Sequence, residues 1–193
     1  MRRTPVGILG GTFNPIHYGH LRSALELRER LGLAEVRLMP AAQPPHRQAP
    51  ACPASLRADL VSLAVAGEPG LSCDRRELQR EGPSYTVDSL QELREELGPD
   101  LSLCLIVGAD ALGALDSWHR WLELTALAHI VVLVRPGWEL PQSGLVATWL
   151  QQHLSEAASE LQESPAGRVI LQRLRPLDIS STEIRQLIAS GQS

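Results

Sequence analysis

The chain has 193 residues, a formal net charge of −4 and 44% apolar side chains, enough for one domain that removes roughly 70% of its extended-chain surface from water without metal or disulfide staples. All eighteen Lys+Arg positions are arginine. That excludes a GxxxxGK[ST] phosphate loop, Schiff-base catalysis and lysine adenylation, and leaves any phosphate to arginine, histidine or backbone N–H groups.

The acidic balance also argues against a surface that tracks nucleic acid. Cys52, Cys73 and Cys104 form no CxxC or zinc spacing and read as reduced structural thiols of a cytoplasmic protein. No apolar run reaches the ~20 residues of a membrane-spanning helix, and no membrane partner is expected. Asn14, Pro15 and His17 interrupt the apolar start too early for a signal peptide, so it reads as a first strand.

In chain order, Val6–Leu9 is strand-like, and Leu21, Ala24, Leu25, Leu27 and Leu31 mark a helix closed by Gly32. Val36–Met39 predicts a second strand, a Pro-rich loop runs to Pro53, and a helix spans about Ser55–Ala66. Leu71–Cys73 predicts a short strand, and Thr86–Leu97 a helix stopped by Gly98-Pro99. The continuous apolar runs Leu103–Val107 and Ile130–Val134 suit strands buried on both faces. Val146, Leu150, Leu154 and Leu161 predict one helix, Val169–Leu171 a strand, and Ser181–Ala189 a last helix.

This alternation predicts an α/β fold over residues 1–193, a doubly wound parallel sheet with a small C-terminal helical portion. Ligands in such sheets bind beyond the carboxyl ends of the strands, which directs attention to the loops after Leu9, Met39, Val107 and Val134.

The first of these loops reads Gly10-Gly11-Thr12-Phe13-Asn14-Pro15-Ile16-His17-Tyr18-Gly19-His20. Two glycines at a strand end let a ligand approach the backbone, and a following helix start offers free N–H groups to an anion. His17 and His20, three apart, share a helix face, with Gly19 leaving room for a phosphate chain. A plain tight turn with histidines capping the helix is the alternative, as is core packing for Phe13. The glycine spacing is not the GxGxxG dinucleotide fingerprint, which weighs against hydride transfer. Near the other end, Ser180 and Glu183 have capping-box spacing, and Arg185 sits where it could add a fork of donors to a phosphate. A capped helix with a solvated arginine is the plain alternative.

The two blocks resemble the GT-F-(D/N)-P-x-H-x-GH and ISxTxIR signatures of the nucleotidyltransferase superfamily. Between them, Pro40–Arg47, Pro83–Thr86, Val107–Asp110, Trp118–Trp121 and Arg135–Gly137 resemble the bacterial nicotinate-nucleotide adenylyltransferases, in order along nearly the whole chain. The resemblance implies a Rossmann-like nucleotidyltransferase fold and transfer of AMP from ATP to nicotinate mononucleotide, giving deamido-NAD and pyrophosphate.

It further implies that His17, His20 and Arg185 are catalytic, with the C-terminal segment at about 176–193 binding phosphate. Gly10, Gly11, Thr12, Phe13, His46, Arg47, Gly108, Asp110, Ser180, Ser181 and Thr182 would bind ATP, and Ser84, Tyr85, Thr86 and Trp118 would bind nicotinate mononucleotide. Mg²⁺ would come with ATP rather than in a protein cage. Asp110 as a helix N-cap is an alternative to its ribose role. Asn14 stands where the family often has aspartate. The rivals are a sister enzyme such as pantetheine-phosphate adenylyltransferase, which leaves the middle motifs unexplained, and a non-catalytic nucleotide-binding sensor.

Overall fold

The computed structural model describes residues 4–44, 50, 52–175 and 177–191. Seven strands form one sheet in the order β3-β2-β1-β4-β5-β7-β6, with every pairing parallel. The strands are β1 (Val6–Gly11), β2 (Glu35–Pro40), β3 (Leu71–Cys73), β4 (Leu103–Gly108), β5 (His129–Val134), β6 (Leu154–Ser155) and β7 (Val169–Arg173). The helices are α1 (Tyr18–Leu31), α2 (Ala54–Val65), α3 (Thr86–Leu97), α4 (Ala109–Gly113), α5 (Leu124–Leu127), α6 (Leu145–His153) and α7 (Ser181–Ala189), with short 3-10 turns between them.

Both faces of the central strands are apolar because both are covered. Leu103, Leu105 and Val107 of β4 join Ile130, Val132 and Val134 of β5 under α3 and α6, in a core that includes Leu90, Leu93 and Trp149. Their alternate neighbours Cys104, Ile106 and Val131 face the other way, against Ala24, Leu27 and Leu31 of α1 and Val61 and Val65 of α2. The period of two along a strand sorts one continuous apolar run into two cores. Burial pushes the Cys104 thiol up to about 12, so it serves as a small apolar core residue.

The helix expected from Val146 to Leu161 is shorter. It ends at His153, the chain passes through β6, and a 3-10 turn covers Ala158–Gln162. Val146 and Leu150 are buried on the α3 side of the sheet, whereas Leu161 is buried on the α1 side. One straight helix cannot serve both, so the chain crosses the sheet edge at β6. The first helix starts at Tyr18, three residues before the apolar periodicity begins, because His17 caps it.

The strand order reverses between β1 and β4: β1, β2 and β3 run outward to one side, and β4, β5 and β7 to the other. That switch point lies at the carboxyl ends of β1 and β4, which Gly10-Gly11 and Gly108 occupy, the place where sheets of this kind take ligands. No helix among the described residues is long and apolar enough to cross a membrane.

At the opposite end of the sheet His129 is fully buried. Its Nδ1 accepts from the Arg168 N–H at 3.1 Å, which leaves Nε2–H to donate to the Ser164 carbonyl at 2.9 Å. Burial pulls its pKa below 6.5. The unfolded chain therefore binds this proton more tightly, and the stability that neutral His129 contributes is complete above pH 6.5 and lost as pH falls through the folded-state value. Urea midpoints should fall more steeply between about pH 7 and pH 5 in the native sequence than in His129→Gln; equal slopes would remove His129 as a cause.

Candidate active site

The first loop ends in a cap built by the two histidines on each other. His17 is the N-cap of α1, and its Nδ1 accepts from the Gly19 N–H at 3.1 Å. The His20 Nδ1 accepts in return from the His17 N–H at 3.3 Å. The rings lie 3.9 Å apart between centroids, and the His20 ring stands edge-on to Phe13 at 5.1 Å. In a neutral imidazole an acceptor nitrogen fixes the proton on the other one. Each ring therefore keeps an Nε2–H donor that the cap does not use.

Electrostatics keeps them neutral. Burial lowers the pKa of His17, and burial together with the adjacent His17 pulls His20 down to about 4.

The glycines of this loop have separate reasons. A Cβ on Gly10 would meet nothing, whereas one on Gly11 would stand 3.0 Å from the Phe13 ring. The space expected for a phosphate chain at Gly19 is filled: a Cβ there would stand 2.9 Å from the His17 ring and 3.3 Å from Ile179. Phe13 is 3% exposed and holds a positive φ of 46°. Its ring belongs to the core beneath α1, so only its backbone is free to face a ligand.

The C-terminal block meets this loop directly. Ser181 Oγ donates to the Pro15 carbonyl at 2.9 Å, and Arg185 Nη1 donates to the Asn14 carbonyl at 2.6 Å. Arg185 Nη2 also donates to Thr182 Oγ1 at 3.2 Å. Ser180 caps α7 by accepting from the Glu183 N–H at 3.2 Å. The amino ends of α1 and α7 are thus joined at one place, bringing His17, His20, Ser180, Ser181, Thr182 and Arg185 together beside Gly10 to Thr12.

Gly108 and Asp110 stand across the switch point. Gly108 is the N-cap of α4 and Asp110 lies inside its first turn, so the expected capping alternative for Asp110 does not hold. Gly108 is exposed, and a Cβ there would meet nothing. His46 and Arg47 lie outside the described residues.

The middle motifs gather at the start of α3. Thr86 is its first residue, and no side chain caps the helix, which leaves the first-turn N–H groups available. The Tyr85 ring stacks on His119 at 4.3 Å, and Arg120 reaches Asp88 at 3.6 Å. The half-buried Trp118 packs against the same core cluster as Tyr85. Ser84 is different in kind: its Oγ accepts from the Ala42 and Gln43 N–H groups at 3.1 and 3.0 Å, so it is turned to the loop after β2.

Two charged residues here escape a sequence reading. Arg57 is 1% exposed and donates to the carbonyls of Thr12, Ala41, Ala42 and Cys52. Its signal was its place on the buried stripe of α2 with Val61 and Val65, at intervals of four. Glu77 is 7% exposed and accepts from Ser89 Oγ at 2.8 Å; nothing in its local sequence marks it.

Against known proteins, residues 8–187 match the family described as cytidylyltransferase-like. The chain is 50% identical over 191 residues to a protein of Aeromonas hydrophila named a probable nicotinate-nucleotide adenylyltransferase, covering 99% of this chain and 89% of that protein. A protein of the same name from Cellvibrio japonicus is 51% identical, covering 99% and 90%. In fold, the chain is similar to Plasmodium falciparum nicotinic acid mononucleotide adenylyltransferase complexed with NaAD, with a TM-score of 0.69, 15% identity and coverage of 99% of this chain and 87% of that one. At this level of identity and coverage, the chain belongs to the nicotinate-nucleotide adenylyltransferases of the cytidylyltransferase-like family.

Proposed function

We propose that the chain transfers the adenylyl group of ATP to nicotinate mononucleotide, releasing pyrophosphate and giving deamido-NAD, a step of NAD synthesis in the cytoplasm. The observation that carries this reading is the junction of the α1 and α7 amino ends, where two Nε2–H donors, two serine hydroxyls and an arginine meet at the switch point. Such a place suits a polyphosphate, because helix N-termini offer unpaired N–H groups and positive dipole ends.

The attacking group is the phosphate of the mononucleotide, whose second pKa of ~6 leaves it deprotonated at neutral pH. No general base is needed. A phosphate oxygen attacks the α-phosphorus in line, the bond from that phosphorus to the bridging oxygen breaks, and the electron pair leaves with pyrophosphate. Catalysis then consists of aligning two anions and stabilising charge on the α-phosphate and the leaving group.

His20 is suited to that second task as a neutral Nε2–H donor, with Phe13 and His17 fixing its ring. A bound triphosphate would raise its pKa, since a nearby opposite charge favours the cation. Ser181, Thr182 and Arg185 would hold the outer phosphates, Gly10 to Phe13 would line the chain with backbone, and Gly108 and Asp110 would face the ribose.

Nicotinate carries a carboxylate, and the uncapped start of α3 at Thr86 offers N–H donors to it. Trp118 would stack on the pyridinium ring, worth about 0.5–2 kcal/mol once desolvated.

Among the described residues no three His, Cys, Asp or Glu side chains group to hold a metal. Mg²⁺ would travel on ATP, held by phosphate oxygens and water, and would neutralise part of the triphosphate charge.

Pyrophosphate release should be fastest with ATP plus nicotinate mononucleotide, and slower with nicotinamide mononucleotide or phosphopantetheine; a better rate with either of these overturns the reading. His20→Ala should lower kcat by roughly 100-fold or more while ATP affinity changes little. In the free protein, ¹⁵N NMR should show His20 as the neutral Nε2–H tautomer down to about pH 4, with a higher midpoint once ATP binds. Trp118→Ala should raise the KM for the mononucleotide by roughly 2–30-fold with little change in the KM for ATP.

A further inference from the structure

The segment Ala41–Gln43 lies between two buried charges of opposite sign. On one side is the Arg57 guanidinium. Its Nη2 donates to the Ala41 carbonyl at 2.7 Å and the Ala42 carbonyl at 3.4 Å, its Nη1 to the Thr12 carbonyl at 2.5 Å, and its Nε to the Cys52 carbonyl at 3.3 Å. Among the described residues no carboxylate pairs with it, and four peptide carbonyls accept from it. On the other side the N–H groups of Ala42 and Gln43 donate to Ser84 Oγ at 3.1 and 3.0 Å, and the Ser84 N–H returns a bond to the Gln43 carbonyl at 2.9 Å.

Having accepted two N–H bonds, the Ser84 hydroxyl still has its own proton, and both Ser84 and the Ala42 N–H face the Glu77 carboxylate closely enough to lower its pKa against the rise that burial causes. That carboxylate also takes the Ser89 proton at 2.8 Å, and Arg80 steadies Ser89 at 2.8 Å. The Ala41 and Ala42 carbonyls thus point to a cation, and the Ala42 and Gln43 N–H groups to the hydroxyl that faces an anion. Each charge polarises the same peptides in the same sense.

The contact chain runs from Thr12, in the loop that holds His17 and His20, to Ser84, which precedes Tyr85 and Thr86. We propose that Arg57 and Glu77 are positioning residues that clamp the Ala41–Gln43 segment and so set the ATP loop and the acceptor end of α3 in register. This rests on the adenylyl-transfer reading, in which those two places hold the two reacting phosphates. The clamp touches neither substrate. Its effect falls on their alignment, where an error of about 1 Å costs on the order of 100-fold in rate.

Arg94 provides a control. It grips carbonyls in the same manner, those of Leu127 at 2.7 Å, Leu101 at 2.5 Å and Pro165 at 2.7 Å, but at the amino ends of β4, β5 and β7. Lysine at either position keeps the charge and loses the fork.

In the full chain, Arg57→Lys and Glu77→Gln should each lower kcat about tenfold or more, with affinities for a non-hydrolysable ATP analogue alone and for nicotinate mononucleotide alone within about threefold of the native values. The double variant should lose less than the product of the two single losses. Arg94→Lys should lower thermal stability and leave kcat unchanged.

Amide exchange gives a readout apart from turnover: Arg57→Lys should speed exchange at Tyr85 and Thr86 as well as at Ala42 and Gln43. Native kcat in either clamp variant, a parallel loss of kcat and affinity, an equal kcat loss in Arg94→Lys, or exchange changes confined to the arginine's own contacts would overturn the clamp. If Arg57→Lys does not fold, Glu77→Gln decides by the same measurements, its exchange then read at Ala42 and Gln43. An active clamp by exchange, with no pyrophosphate formed by the native chain, would instead count against the adenylyl-transfer reading.

Discussion

The site depends on two hydrogen bonds between segments at opposite ends of the chain, from Ser181 to the Pro15 carbonyl and from Arg185 to the Asn14 carbonyl, across 166 and 171 residues of sequence. The sheet makes them possible. β1 occupies the centre, so the loop after it emerges at the switch point, and β7 returns the chain to the same edge of the strands before α7 begins. Without those bonds each block is an ordinary helix start. With them, the donors of one helix end are added to those of the other, and the charge they can stabilise exceeds what either would hold alone.

Much of this was legible because it rests on local rules. Apolar runs gave every strand except β6, and Gly32 and Gly98 marked helix ends, both with positive φ. The loop glycines and histidines led to the anion site proposed above through backbone geometry and donor chemistry. What was not legible depends on tertiary direction. That Val146 and Leu161 face different cores follows from the path of the chain at the sheet edge, which periodicity cannot convey. Gly19 looked like room for a ligand, but its missing Cβ is taken up by His17 and Ile179. Arg57 and Glu77 carry no local signal for what they grip, because their partners are backbone atoms and hydroxyls of other segments.

A chain without lysine places particular demands on arginine, and the structure shows how they are met. Buried cations are normally expensive unless paired. Here a planar fork of donors spreads one charge over several carbonyls, as Arg57 does at the functional end of the sheet and Arg94 at the other. An ammonium group could not match this geometry, since it concentrates its charge at one point and hydrates strongly. The same side chain that ties loops together inside the molecule is therefore the one left, at Arg185, for the proposed contact with phosphate.

The last helix has no buried residue, and Leu187 and Ile188 remain exposed. It is attached to the body mainly by polar contacts, each of which contributes only about 0.5–1.5 kcal/mol net. This joint is therefore lightly packed, and it forms one wall of the proposed phosphate site. A triphosphate seated across it would act as mortar, adding its own binding energy where the protein has invested little in packing. The nucleotide would then finish the architecture that receives it, and departing pyrophosphate would loosen the wall it leaves behind.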